Sequence, residues 1–188
     1  MALRIQRKKD NRVVKCVLHR VADIPGGVTI KVADLGGNAL FEGTPLAKGA
    51  NGLFQVVKTA QIVTNAADDA VSYDVAKGHH FKVGDRFATA SCNGQVITAI
   101  DKSDSAKDVI TVGTTLGAAI TAGTCAYESA GANKTLKYTP VAFAGQNQDV
   151  ESGENLFTDA WVIGVVRESN APIVNDAIKS ALKGVIYV

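Results

Sequence analysis

The chain of 188 residues has little of what usually announces chemistry, with only three histidines, three cysteines and one tryptophan. It contains no Gly-x-Ser-x-Gly elbow, no His-Glu-x-x-His, no Cys-x-x-Cys and no phosphate loop ending in Gly-Lys-Ser/Thr. So few histidines leave few general bases, and the expectation is a protein that is not an enzyme and carries no cofactor. No apolar run approaches the roughly eighteen residues a spanning helix needs, and the first twenty residues lack the apolar centre of a secretory leader. Folding in a cytoplasm, away from any membrane, is therefore expected.

Cys16, Cys92 and Cys125 are odd in number and far apart, which makes a poor disulfide framework and a poor zinc site. They read as small buried thiols. The adjacent pair His79-His80 has Asp74, Asp85 and His19 within reach as co-ligands. Neighbouring residues of an extended chain point to opposite faces, however, so no metal is expected there and both imidazoles read as surface groups. Gly36-Gly37 lacks the frame of a phosphate site.

The net charge of +2 is too small to announce a nucleic-acid binder, but it is unevenly spread. Met1 to Arg20 carries Arg4, Arg7, Lys8, Lys9, Arg12, Lys15 and Arg20 against the single acid Asp10. It reads as a basic arm, with Arg4, Arg7, Lys8, Lys9 and Arg12 as the candidate partner-binding residues. Without an aromatic side chain to stack on bases, its expected target is an acidic protein surface and not nucleic acid.

What the chain does have is β grammar. Eighteen glycines against four prolines, with many Val, Thr and Ala, suit short strands and tight turns. Val28-Thr29-Ile30-Lys31-Val32 alternates strictly, with Val28, Ile30 and Val32 inward. Val13 to Leu18 reads as a strand with Val14, Cys16 and Leu18 on one face. Asn51-Gly52 predicts a hairpin between Leu46 and Phe54, opening a long run from Leu53 to Val63. Asn65 to Ala76, small and acidic, reads as a surface loop.

Lys82 to Tyr127 reads as a meander: a turn at Lys82-Val83-Gly84-Asp85, a hairpin at Asn93-Gly94, a charged tip from Asp101 to Asp108, then strands at Val109 to Val112 and around Cys125 to Tyr127. Leu136 and Tyr138 alternate in a strand that Pro140 closes, and Gln146 to Asn155 reads as a polar loop. Trp161 to Val166 predicts a central strand with Trp161 anchoring the core. Helical period occurs once, in Val174, Ala177, Ile178, Ala181 and Leu182, with Pro172 near the start, Gly184 as the stop and a last strand at Val185 to Val188. The expected fold is mainly β, a compact antiparallel barrel or sandwich with an extended N-terminal arm and one short C-terminal helix. The arm would occupy residues 1–20 and a single β-rich domain 21–188, with a meander lobe inserted over 79–130.

Several phrases of the chain, Gly43-Thr44-Pro45-Leu46, Asn51 to Ala60, Lys82-Val83-Gly84-Asp85, Val109-Ile110-Thr111-Val112 with Leu116-Gly117, and Ala181 to Val188, together resemble auxiliary capsid proteins of tailed phages. The likeness is to head-decoration or head-fibre proteins of phages and prophages of Bacteroides-type bacteria. It implies a non-enzymatic virion component, assembled in the host cytoplasm and seated on the capsid exterior, commonly as a homotrimer clamping neighbouring major capsid subunits. The basic opening departs from that pattern. The other reading the residues leave open is a glycan- or cell-surface-binding β module built on polar loops, although the aromatic residues, 6% of the chain, do not cluster.

Overall fold

The structure, a computed structural model, describes residues 15–151 and 153–188. It is mainly β, with curled sheets forming a half-barrel and one α-helix among the described residues. The first half of the chain gives β1 (Val17–Asp23), β2 (Val28–Ile30), β3 (Ala39–Leu40), β4 (Pro45–Lys48), β5 (Phe54–Val56), β6 (Thr59–Gln61), β7 (Ser72–Ala76) and β8 (Arg86–Thr89). The second gives β9 (Gln95–Asp101), β10 (Lys107–Val112), β11 (Cys125–Glu128), β12 (Pro140–Ala144), β13 (Gln148–Asp149), β14 (Leu156–Thr158), β15 (Ala160–Val166), helix α1 (Asp176–Ala181) and β16 (Val185–Tyr187).

These strands make two principal sheets. An eight-stranded sheet runs β1-β15-β12-β4-β5-β2-β14, with β16 parallel to β15, and a six-stranded sheet runs β6-β11-β8-β9-β10-β7. β3 and β13 pair separately. The second sheet is thus an insertion between β5 and β12. It begins at Thr59, twenty residues before the meander lobe expected from the sequence, because β6 and β7 belong to it.

Each sheet has its own core. Inside the second, Ile62, Tyr73, Val75, Phe81, Phe87, Ile97 and Ile110 pack together, and the rings of Tyr73 and Phe81 sit 5.5 and 5.4 Å from that of Phe87. Around β4, β5 and β12 the first sheet buries both faces. Neighbours in sequence show this: Leu46 and Val56 enter one cluster with Ile30 and Ala142, while Ala47 and Val57 enter the other with Phe143, Ile178 and Leu182. Helix α1 covers that second face. Asn175 caps it, its side chain accepting the Ile178 N–H at 2.9 Å.

The inward positions of Val28 to Val32 are as expected, Val28, Ile30 and Val32 all being buried, but the strand ends at Ile30 and Val32 opens a 3-10 turn. The Asn51-Gly52 hairpin forms, with both residues at positive φ and Leu46 opposite Val56. Elsewhere the structure corrects the sequence. Cys16 and Val17 are both buried and Leu18 is exposed, so the expected face of the first strand is out of register; β1 also runs on to Asp23, so residues 17–20 are sheet and not arm. Ser72–Ala76, read as loop, is strand β7, Tyr73 and Val75 supplying the inward positions.

Pro140 opens β12 and does not close a strand, a position where its missing N–H costs the ladder nothing. Leu136 makes only an isolated bridge with Ser129. In the β8–β9 hairpin the chain reverses at Ala90-Ser91, between reciprocal Thr89 and Cys92 backbone bonds. Gly94 serves another need: a Cβ there would lie 2.5 Å from the Gly131 carbonyl oxygen.

The run from Leu53 to Val63 is one continuous extended passage shared by both sheets. The Val57 N–H donates to the Pro45 carbonyl in the first sheet (2.9 Å), and the Lys58 carbonyl accepts from Glu128 N–H in the second (3.0 Å).

Candidate interaction surface

Arg4, Arg7, Lys8, Lys9 and Arg12 lie outside the described residues. Of the basic segment, Lys15 and Arg20 are described; both are exposed, and Arg20 is tied to the fold by its side chain. Its guanidinium donates to Glu42 Oε1 at 2.9 Å and to the Gly145 carbonyl, and lies 5.6 Å from the Trp161 ring centroid. Glu42, itself buried, also accepts the Cys16 N–H at 3.0 Å. This network fastens the start of β1 and leaves Arg20 little charge to offer a partner. Trp161 is half-buried against the α1-side core, its Nε1 donating to Asp159 Oδ2 at 2.8 Å, so it anchors as expected.

The outer surface of the first sheet is unusually apolar along one border. β15 and β16 run parallel with Val165 beside Ile186, which puts Ile163, Val165, Ile186 and Val188 on one face by strand alternation. Ile163 is 43% exposed, and Ile186 and Val188 are each 61% exposed. Leu18 and Val21 on the adjoining β1 are exposed as well, and both occupy bulges where the β1–β15 register slips. Two bulges in seven residues spoil that edge for strand addition. The side chains there, and not the backbone edge, are what a partner would meet. At the opposite edge, β14 presents Phe157, 61% exposed, beside Gly27.

The expectation that His79 and His80 are surface groups is wrong: both are buried. After β7 the chain leaves regular strand geometry, and Gly36-Gly37 covers the pair from the other side, where a Cβ on Gly37 would lie 2.9 Å from His80 Nδ1. His79 Nδ1 accepts the Phe81 N–H at 3.1 Å, which leaves the proton of the neutral ring on Nε2, 3.2 Å from Asp108 Oδ2 but poorly aligned for a hydrogen bond. Neither ring nitrogen of His80 has a hydrogen-bond partner among the described residues. Desolvation by burial pulls both imidazoles down to about 4; Asp108 pulls the other way at His79. Asp108, expected at an exposed tip, is buried in β10 between His79 and Lys77, whose Nζ is 2.5 Å away.

A second buried charge group ties the sheets where the chain crosses between them. Lys58 Nζ lies 2.6 Å from Asp85 Oδ2 and 3.7 Å from Glu128 Oε2, and Glu128 Oε1 accepts from Lys137 at 2.6 Å. Burial raises the Glu128 carboxyl above its usual range despite Lys137 and Lys58. All three cysteines are buried, and burial pushes the Cys125 thiol up to about 12, which makes it a packing residue at neutral pH. Among the described residues no helix is long and apolar enough to cross a membrane, and no cluster of three or more His, Cys, Asp or Glu side chains is placed to hold a metal. Comparison of the chain with protein-family models, curated proteins and solved structures returned no match.

Proposed function

We propose that the chain is a non-enzymatic structural protein of a phage head, one that self-associates, trimerisation being favoured, and binds the major capsid protein on the capsid exterior. The observation that carries the association is the apolar border of Ile163, Ile186, Val188, Leu18 and Val21. Exposed aliphatic side chains gathered along three neighbouring strands are costly in water and are typical of protein contact surfaces. The assignment to a phage head rests on the phrases that resemble auxiliary capsid proteins.

On this reading the protein works by mass action: a component that binds the assembled shell and not its separated subunits raises the free energy of disruption. Capsids heated with and without the protein provide the test. An unchanged rupture temperature, with no co-sedimentation, would reject the proposal. Residues 1–14, rich in Arg and Lys, act in it as a charge-driven docking segment. Their deletion should weaken capsid binding to the level the intact protein shows at high salt; equal binding by both proteins at low salt would remove that role.

A further inference from the structure

The second sheet almost closes on itself, and the place where it fails to do so forms a cleft. Its two edge strands, β6 and β7, meet at a bridge between Ile62 and Val75 and then part. Between Thr59–Gln61 on one side and Ala76–Gly78 on the other lies a cavity of about 560 Å³, walled further by Pro172 and Ile173 and by the Phe41 ring.

The backbone of β6 faces this cavity with its hydrogen-bonding groups. Lys58 and Ile62 bond to β11 through Glu128 N–H and the Thr124 carbonyl, and Ala60 stands opposite Ala126 in the same set. Antiparallel strands alternate, so the N–H and C=O groups of Thr59 and Gln61 are directed away from β11, toward β7. The next residue of that set, Val63, shows what they lack, its N–H donating to the Asp74 carbonyl at 2.9 Å. For the N–H groups of Thr59 and Gln61 no comparable bond is formed with a described residue. The charges at the mouth are already spent. Lys77 is held by Asp108 (2.5 Å) and the Lys102 carbonyl (3.2 Å), and Glu168 by Lys179 (2.6 Å).

We infer that this cleft binds an uncharged extended peptide segment, which adds as a short strand to the free side of β6 and lays small apolar side chains against Pro172, Ile173 and Phe41. Backbone groups give the affinity, and the apolar lining, with its nearby charges already paired, gives the selection. The inference rests on the reading of the chain as an assembly component, and the segment it assigns to the cleft belongs to an adjoining capsid subunit.

Acetyl-Val-Thr-Val-Thr-amide is the first probe, titrated to millimolar concentration against ¹⁵N-labelled full-length protein. The amide signals of Thr59, Gln61 and Gly78 should move saturably, and a Glu-Thr-Glu-Thr analogue should bind about tenfold more weakly or worse. Gln61→Pro deletes an outward N–H and leaves the β11 ladder intact, so it should keep the thermal midpoint within a few degrees and lose the peptide. Ala76→Phe, which fills the cleft from the facing strand, gives the same readout should the proline variant misfold. No saturable shift in the intact protein, or equal binding by both variants, overturns the cleft. Loss of the peptide by a variant that still co-sediments with capsids overturns the assignment of the segment to a capsid subunit. Wild-type protein that binds the peptide and ignores capsids rejects the assembly reading and, with it, that same assignment.

Discussion

Acid should loosen the second sheet through His79 and His80. Both are buried, with their imidazoles near 4 against an ordinary 6.5. Between those values the unfolded chain holds protons that the folded chain refuses, so stability falls as pH falls. The contribution is fully present above about pH 6.5 and is lost progressively down to about pH 4. The full interval corresponds to about 3 kcal/mol for one imidazole, and the part lost by pH 5 to about 2 kcal/mol.

The surroundings set the sign. Desolvation opposes the charged ring at both sites. His79 has Asp108 in its favour and Lys102 and Lys77 against, whereas His80 faces His79, Lys58 and Lys102 with no carboxylate to help. Glu128 works in the other direction: its raised carboxyl lets the folded state hold an extra proton just above the ordinary glutamate range, which offsets part of the loss. Urea unfolding from pH 7.5 to pH 4.5 reads the net slope. His80→Leu removes two buried nitrogens that have no partner, so it should match or exceed the wild type at pH 7 and surpass it by about 2 kcal/mol at pH 5. A wild-type profile that is flat between pH 7 and pH 5, or a variant with an unchanged slope, would refute the reasoning.

Three other substitutions probe the remaining parts. Lys58→Ala takes away the only cation paired with the partly buried Asp85 among the described residues, and leaves Glu128 with Lys137 alone, so it should cost about 3–5 kcal/mol in chemical denaturation, and adding Asp85→Asn and Glu128→Gln to Lys58→Met should recover much of it. Gly36→Ala would set a Cβ 2.0 Å from the Phe81 carbonyl oxygen, so it should cost about 1–3 kcal/mol and speed amide exchange around His80, whose carbonyl accepts the Gly36 N–H. Ile186→Asp, on the exposed border, should leave the monomer's thermal midpoint within a few degrees yet weaken self-association at least about tenfold by light scattering.

The features legible in the sequence are those that a single stretch encodes by itself. Val28 to Val32 alternates without help, Asn51-Gly52 supplies both positive-φ residues of its turn, and Val174 to Leu182 carries its own helical stripe. The misses share another cause. Ser72–Ala76 hides its alternation because Asp74 and the small residues dilute Tyr73 and Val75, and the acid is explained by partners remote in sequence, Lys107, 2.6 Å away on the neighbouring strand, and the Thr64 hydroxyl. The burial of His79 and His80 depends on Gly36-Gly37, more than forty residues earlier, and no local pattern announces that cover. The apolar border has the same origin: Ile163 and Ile186 each read as ordinary strand residues, and only the parallel pairing of β15 with β16 makes them one surface.

One misreading is informative about how the two sheets hold together. Leu53 to Val63 reads as a single long strand because the chain there is extended throughout and apolar on both sides. A strand within one half-solvated sheet would alternate, but Val56 and Val57 are consecutive and both buried, each facing a different core cluster of the first sheet. Lys58 follows, buried, with its ammonium against Asp85 and Glu128 of the second sheet. A lysine in that position is expensive unless its partners are in place, so the stability of the crossing depends on Asp85, just before β8, and on Glu128 of β11. The acid-sensitive histidines and the open β6–β7 cleft both belong to this inserted sheet, so loosening it by acid should impair peptide binding before it disturbs the apolar border carried by β15 and β16.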